Sequence, residues 1–243
     1  IKPEGIYIDV TFGGGGHSKS IFRKLNGGKL FAFDQDESAN TNALAQSGFK
    51  LINANFRYIK SFLKMEGIIK IDGLLADLGV SSHQFDVAER GFSTRLDGEL
   101  DMRMNVNSNL SAKDVINDYS EENLANVFYK YGELRNSRSI ANKIVIAKEL
   151  SSINTTADLI DVISDLAPEK YRNQFLARVF QAIRIEVNDE IKALEEMLLS
   201  AVELLNPDGR LVVLSYHSLE DRLIKNLMKK GNFEGKVQKD FFG

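Results

Sequence analysis

The stretch "YIDVTFGGGGHS", residues 7–18, decides the fold of this chain. An apolar run passes Asp9 and ends in four consecutive glycines, Gly13 to Gly16, which are followed by His17. A strand that enters a glycine-rich turn and then a helix is typical of a nucleotide site, because backbone N–H groups face the ligand and the missing Cβ atoms let it come close. Four glycines cost too much chain entropy for a turn without a ligand. We therefore expect a cofactor to bind at this loop.

Short apolar runs alternate with helix-like stretches in the first and the last parts of the chain. Strands are predicted at residues 6–10, 29–33, 49–53, 71–75 and 210–215. Helices are predicted between them, at residues 17–25, 37–46 and 191–205. Buried strands that alternate with helices indicate an α/β fold of the Rossmann-like kind, with a mostly parallel sheet and helices on both faces.

The pattern changes in the middle of the chain. Residues 79–111 are rich in Gly, Ser, Asn and Asp and lack periodicity, which predicts a long loop. Helical spacing follows to about residue 172, with Ser137 and Thr156 as predicted helix caps. We therefore predict an all-helical inserted domain and three segments: 1–82 as the first part of the core, 83–178 as loop plus helical insertion, and 179–243 as the second part of the core.

The composition excludes several kinds of site and partner. The chain has 243 residues, a net charge of −3, three histidines and no cysteine. Disulfides and thiolate metal sites are therefore excluded, and three scattered histidines argue against zinc, so we predict no metal. The sequence contains no apolar run long enough to span a bilayer, and we expect a cytoplasmic protein without a membrane partner.

Three ligands compete for the glycine loop. Residues 13–20 are one residue away from the P-loop pattern of a nucleoside triphosphate site, with Ser18 where the second glycine belongs. A dinucleotide fingerprint lacks its third glycine at the same position. S-adenosylmethionine (SAM) has no pyrophosphate and needs only a close loop and an acid for its ribose. Asp34, at the end of the second strand, is such an acid, although it or Asp36 can also cap the next helix.

Two later features favour SAM over NAD. Phe56 follows the third strand, where an aromatic ring can stack on adenine. An amphipathic helix, a Pro-Asp-Gly turn and a buried strand then follow one another near the end of the chain, an arrangement typical of class I methyltransferases.

Four further blocks are more specific: "DLGVSSHQFDVAERGFS", "GELDMRM", "FQAIRIEVNDE" and "SYHSLEDR". Together, in order and over nearly the whole chain, they closely resemble the RsmH (MraW) family, bacterial methyltransferases that act on N4 of a cytidine in small-subunit (16S) ribosomal RNA. The resemblance implies a class I SAM-dependent methyltransferase whose helical insertion helps to recognise RNA, with a target near the decoding centre. The family's N-terminal His-x-Pro-Val-Leu and C-terminal Asn-Pro-Arg-Ala-Arg-Ser blocks are absent, and we expect both ends to have been trimmed.

The resemblance also assigns residues to the cofactor. It implies that Asp34 holds the ribose and that Phe56 lies near the adenine. The full set of predicted cofactor-binding residues is Gly13, Gly15, Gly16, His17, Asp34, Phe56, Asp77 and Gln84.

Methyl transfer to an exocyclic amine requires alignment and a group that accepts a hydrogen from the amine. The fourth strand ends at Asp77, where many amino-methylating enzymes carry Asp-Pro-Pro-Tyr; here Leu-Gly-Val follows, without the prolines and the aromatic residue. We hypothesise that Asp77 positions N4 of the cytosine; the alternative is that it orients the SAM amino group. Ser215 and His217 end the last strand at the same sheet edge and complete the predicted catalytic set, although His217 fits a structural role equally well. A Ser/His/Asp hydrolase is rejected because Gly-x-Ser-x-Gly is absent.

Four residues are predicted to contact the substrate. Asp101 and Arg103 lie in the long loop, where they either meet RNA or form an internal ion pair. Arg184 and Asn188 lie one turn apart on a predicted helix. The predicted partner is small-subunit ribosomal RNA or the assembled small subunit, and the sequence leaves a homodimer open. The competing functions are a P-loop NTPase and a non-catalytic RNA-binding or assembly factor.

Overall fold

The computed structural model describes residues 1–236, except the side chains of residues 82 and 83. The last seven residues of the predicted third segment lie outside this range. The chain forms two compact units, one from Ile1–Gly79 and the chain from Ile191 onward, the other from Val80–Glu190. The boundary predicted at 178/179 falls inside helix α8 (Arg172–Asn188), because the apolar side chains of this helix belong to the core of the second unit along its length.

The first unit contains a five-stranded parallel sheet in the order β3-β2-β1-β4-β5. Its strands are β1 (Ile6–Asp9), β2 (Lys29–Asp34), β3 (Phe49–Asn53), β4 (Ile71–Asp77) and β5 (Leu205–Leu214). This is the Rossmann-like architecture predicted from the alternating apolar runs. The carboxyl ends of all five strands meet at one edge of the sheet.

Helices cover the sheet on both faces. They are α1 (Gly16–Phe22), α2 (Ile59–Met65), α9 (Glu190–Leu204) and α10 (Ser218–Lys230), with short 3₁₀ helices at Glu37–Asn42 and Phe56–Tyr58. Successive side chains of a strand point to opposite faces. Accordingly, Phe31 and Phe33 of β2 share a core with the apolar sides of α2 and α9, while Ala32 packs with Phe12 and Ala39.

The Pro-Asp-Gly segment differs from its prediction. It forms an irregularity inside β5, which begins at Leu205 rather than at residue 210. The pairing with β4 shifts between Ile71 and Gly73, and Asp208 takes a left-handed conformation with φ of 65°. Between the pairs formed by Ile71 and Gly73, β5 has three more residues than β4, an insertion larger than the single extra residue of an ordinary β-bulge.

The second unit is helical, as predicted. Its helices are α3 (Ser82–Asp86), α4 (Ala112–Asp118), α5 (Glu121–Gly132), α6 (Ser137–Leu150), α7 (Thr156–Ile163) and α8. Short 3₁₀ turns lie at Ala88–Arg90, Ser164–Leu166 and Glu169–Tyr171. These helices enclose an apolar core of their own, centred on side chains such as Phe128, Ile140 and Val179. Within residues 1–236, no helix is both long enough and apolar enough to cross a membrane.

Three details of this unit correct the sequence predictions. The predicted long loop contains α3, because Ser81 and Gln84 form a capping box that starts a helix there. Thr155 caps α7, and the predicted cap Thr156 is the first residue of that helix. Ser137 is likewise the first residue of α6 rather than its cap.

Candidate active site at the carboxyl edge of the sheet

Three strands of the first unit end in an aspartate. Asp9 ends β1, Asp34 ends β2 and Asp77 ends β4. Since these strands are parallel neighbours, the three carboxyl groups lie along one edge of the sheet, beside the glycine loop that follows β1. The side chains around each carboxylate differ, and so does what each carboxylate can do.

Asp9 is buried and binds residues on both sides of the glycine loop. Its side chain accepts hydrogen bonds from Ser18 Oγ at 2.6 Å and from the Thr11 N–H at 3.2 Å, and the residue is 1% exposed. Burial raises the pKa of Asp9, partly opposed by these two donors. Ser18 therefore occupies the place of a P-loop glycine because its hydroxyl ties helix α1 to the end of β1.

Asp34 holds the glycine loop in place. Its two oxygens accept the Gly13 N–H at 2.7 Å and the Asp36 N–H at 2.9 Å. Burial raises the pKa of Asp34, again opposed by these N–H donors. The capping of the following 3₁₀ helix falls to Asp36, which accepts the Ser38 N–H at 3.0 Å. Each oxygen of Asp34 has a further lone pair for a ligand hydroxyl.

The four glycines of the loop serve two purposes. Gly13 and Gly15 have φ of 51° and 74°, in the left-handed region that favours glycine. A Cβ on Gly15 would also lie 2.7 Å from Cζ of Phe12. At Gly14 and Gly16, by contrast, an added Cβ would meet nothing within 4 Å. The fold itself requires Gly13 and Gly15, whereas Gly14 and Gly16 keep open the space beside the loop.

Asp77 is the centre of a group of polar side chains. Its Oδ1 accepts the hydroxyl hydrogen of Tyr216 at 2.8 Å, and its Oδ2 lies 3.4 Å from Nε2 of His17. Its backbone N–H donates to Thr11 Oγ1 at 2.7 Å. Donation to Asp77 raises the pKa of the Tyr216 hydroxyl. Two predicted cofactor residues, His17 and Asp77, are thus brought together across 60 residues of sequence.

Phe56 begins the 3₁₀ helix that follows β3 and packs partly against the core of the first unit. Asn55 caps this helix by accepting the Arg57 N–H at 3.0 Å. The same Asn55 donates from Nδ2 to Gln35 at 2.9 Å, which joins the segments after β2 and β3. Phe56 is therefore held on the same sheet edge as Asp34.

The residues after β5 have distinct positions. Ser215 directly follows the strand and is half-buried. His217 is 8% exposed at its side chain and caps α10, since its Nδ1 accepts the Glu220 N–H at 3.4 Å. Its Nε2 lies 3.2 Å from Oε1 of the same Glu220. Glu220 thus lies against both ring nitrogens, an arrangement that fits a structural role, and the catalytic role of His217 stays a prediction.

The remaining predicted residues belong to the second unit and are held by internal contacts. The Gln84 side chain completes the capping box of α3 by accepting the Ser81 N–H at 3.1 Å. Arg103 forms a bidentate ion pair with Asp101, at 2.7 Å and 2.9 Å, and donates to the Ser108 carbonyl at 2.9 Å. The "GELDMRM" pair therefore orders its own loop.

Arg184 and Asn188 are also engaged within the second unit. Arg184 forms a bidentate ion pair with Glu190 at 2.8 Å and 3.1 Å. The Asn188 amide accepts the Met104 N–H and donates to the Met102 carbonyl, each at 2.8 Å. This clamp holds Met102, which is fully buried with φ of 57°. The prediction that these residues contact RNA stays a prediction.

Sequence reasoning missed three polar residues of the first unit. Thr11 and Ser18 connect the loop to Asp77 and to Asp9, and Tyr216 donates to Asp77. Tyr216 lies between Ser215 and His217, the two predicted residues of the "SYHS" block. Its position next to the sheet edge could therefore have been predicted from the end of the last strand. Its contact with Asp77 could not, because 139 residues separate the two.

Comparison with known proteins gives this edge its context. Residues 1–241 match the model of the MraW methylase family. The chain belongs to the MraW methylase family. It is 58% identical over its whole length to the ribosomal RNA small subunit methyltransferase H of Flavobacterium johnsoniae, covering 81% of that protein. The proteins of the same name from Phocaeicola vulgatus and Flavobacterium psychrophilum are 54% and 57% identical to the chain, which covers 80% and 84% of them.

Membership of the MraW methylase family agrees with the resemblance carried by the four sequence blocks. The match spans both units, so the helical unit is part of the family's sequence. The fold, a parallel sheet with a glycine loop after β1, is that of a Rossmann-like methyltransferase.

Proposed function

We propose that this protein transfers the methyl group of SAM to N4 of a cytidine in small-subunit ribosomal RNA, near the decoding centre. The names of its relatives support ribosomal RNA of the small subunit as the substrate. The family supports methyl transfer as the reaction. The specific atom and the site in the RNA rest on the resemblance of the four sequence blocks.

The choice of SAM as the cofactor rests on the charge along the sheet edge. Asp9, Asp34 and Asp77 line the edge, and the Gly13 N–H already donates to Asp34. A polyphosphate placed here would meet the carboxyl groups of Asp34 and Asp77, while that of Asp9 is buried, and it would find one loop amide occupied. SAM instead brings a positive sulfonium and a positive ammonium group. These residues therefore fit SAM better than ATP.

The chain's own residues supply the binding. Gly14 and Gly16 leave space for the methionine end of SAM against the backbone. Asp34 accepts the ribose hydroxyls with its remaining lone pairs, and Phe56 lies on the adenine side. When bound, SAM supplies an electrophilic methyl group for in-line transfer.

On the substrate side, Asp77 accepts a hydrogen of the cytosine amine. The amine of cytosine is a poor nucleophile because its lone pair is delocalised into the ring. A carboxylate oxygen that accepts one N–H localises the lone pair on N4 and can take the proton as the new bond forms. The Oδ2 of Asp77, near His17 Nε2, is the oxygen that does not receive the Tyr216 hydroxyl.

Calorimetry with SAM, ATP and NAD tests the cofactor. We expect SAM to bind and ATP not to bind. Tight ATP binding without SAM binding would overturn SAM as the cofactor and would favour the P-loop NTPase.

Transfer of labelled methyl to small ribosomal subunits from a strain lacking the modification tests the reaction. We expect label on N4 of one cytidine, and parallel reactions with naked RNA identify the preferred form of the substrate. Label on another base contradicts the target, and no transfer despite SAM binding favours a non-catalytic RNA-binding factor.

A further inference from the structure

Tyr216 combines high exposure with a fixed position. It is 70% exposed and is the second residue after the end of β5, at the carboxyl edge of the sheet. Its hydroxyl donates to Asp77 Oδ1 at 2.8 Å, and its backbone N–H donates to Glu220 Oε2 at 3.1 Å. The hydroxyl and the backbone of Tyr216 are thus both held by hydrogen bonds, while its ring is exposed to solvent. Such a ring can stack on a flat partner without first being ordered.

The backbone next to Asp77 leaves room for this ring. Gly79 has φ of 97°, and a Cβ on it would lie 3.7 Å from Cδ2 of Tyr216. The ring therefore passes close to the segment after β4, where the sequence lacks the proline pair and aromatic residue of Asp-Pro-Pro-Tyr. An aromatic ring is nevertheless present beside the strand-end carboxylate, but it comes from the segment that follows β5.

We propose that Tyr216 positions the target base: its ring stacks on the pyrimidine, and its hydroxyl fixes the Asp77 carboxylate toward the amine. This inference rests on the proposed function and goes beyond it by assigning base recognition to one side chain. Stacking on an aromatic residue suits a base that has been taken out of RNA structure, because every base has a flat face to offer. The hydroxyl also restricts rotation of Asp77, so that one oxygen stays available for the N4 hydrogen.

Two variants separate the ring from the hydroxyl. Tyr216→Phe keeps the ring and removes the bond to Asp77, so we expect an unchanged KM for RNA and a kcat about tenfold lower. Tyr216→Ala removes both, so we expect the same fall in kcat and a KM for RNA raised about 10- to 100-fold. SAM affinity measured by calorimetry stays the same in both variants. The control is Leu199→Ala on α9, an exposed apolar side chain (50%) of the same unit as Tyr216.

A binding measurement without turnover keeps this inference separate from the proposed function. A cytidine-containing single-stranded oligonucleotide is titrated in the presence of S-adenosylhomocysteine. We expect the Phe variant to bind like the unsubstituted protein and the Ala variant to bind about tenfold more weakly or worse. Equal binding by all three proteins overturns the stacking role even if the unsubstituted protein transfers methyl. A loss of SAM affinity in the Ala variant overturns it too, because the ring would then belong to the cofactor.

Discussion

At the residue scale, three aspartates with the same strand-end position have different partners. Asp9 faces a hydroxyl and an N–H group, Asp34 faces two N–H groups, and Asp77 faces Tyr216 and His17. A hydroxyl can reverse its hydrogen bond and an N–H group cannot. Substitution by asparagine therefore separates the three carboxyl groups by role.

Asp77→Asn removes the proposed proton acceptor while it preserves the shape of the side chain. We expect kcat for methyl transfer to fall about 100-fold or more at saturating SAM, because asparagine cannot take the proton. Single-turnover transfer to small subunits measures this rate. The control is Asp221→Asn on α10, which removes one half-exposed carboxylate of the same unit. Near-normal turnover of the Asp77 variant would leave this residue with only a role in cofactor orientation.

Asp9→Asn and Asp34→Asn are expected to differ in stability. The asparagine at position 9 can accept from Thr11 and donate to Ser18, so both hydrogen bonds survive. At position 34, the new NH₂ group would face a backbone N–H, which costs about 1–3 kcal/mol of unfolding free energy for the unpaired donor. Urea denaturation of the two variants at neutral pH measures the difference. Equal losses in both variants would contradict this assignment of hydrogen bonds.

The raised pKa of Asp9 makes stability depend on pH. A carboxyl group whose pKa is higher in the folded state favours folding below its unfolded pKa of about 4, and this contribution is lost as the pH rises through the folded pKa. Asp9→Asn has no such proton to lose. We therefore expect the variant to gain stability relative to the unsubstituted protein between pH 4 and pH 8, measured as urea midpoints. Midpoints that stay parallel across this range would show that burial does not perturb Asp9.

At the element scale, the glycine loop separates the demands of folding from those of binding. Gly15→Ala introduces a Cβ at φ of 74° against the Phe12 ring, and we expect a loss of about 1–3 kcal/mol of stability. Gly16→Ala, at the first position of α1, has open space and gains helix propensity of up to about 1 kcal/mol.

For SAM binding, by contrast, we expect the larger effect from the substitution at Gly16. Gly16→Ala places a methyl group in the space proposed for SAM, so we expect a stable protein with at least about tenfold weaker SAM binding by calorimetry. Unaltered SAM affinity in a stable Gly16 variant would move the cofactor away from this face of the loop.

The elements themselves were largely predictable, for physical reasons. Strands β1 to β4 are short segments dominated by apolar residues, and this pattern marks them within a few residues. The start of α7 was misplaced by one residue because two threonines are adjacent, although Asp158 three residues after Thr155 indicates the capping box. His217 as a cap of α10 was not predictable, since histidine is not a preferred N-cap residue.

At the scale of the whole molecule, the helical unit is one continuous segment of chain with its own core. Such a segment can fold alone. We expect a fragment of residues 80–190 to show a cooperative urea transition by far-UV circular dichroism. Phe128→Ala, which removes a fully buried ring, lowers the stability of the fragment by about 3–5 kcal/mol. A gradual, non-cooperative loss of helix would show that this core depends on the rest of the chain.

The fold class and the helical insertion followed from the sequence, whereas the connections within the site did not. Periodicity reports burial along one element, but it does not report which distant side chains meet. The pairs Asp77–Tyr216 and Asp34–Gly13 depend on strand order, and strand order is set by packing across the sheet. The ion pair of Asp101 with Arg103 was foreseeable as an alternative because only one residue separates them.

The Asn188 clamp leaves Met102 with conflicting demands. Its left-handed backbone would suit glycine, while its fully buried side chain fills the core of the helical unit. Glycine would relieve the strain and open a cavity, and a β-branched residue would fill the cavity and worsen the strain. No single amino acid satisfies both demands, so this position is a point of local frustration with little tolerance for mutational drift.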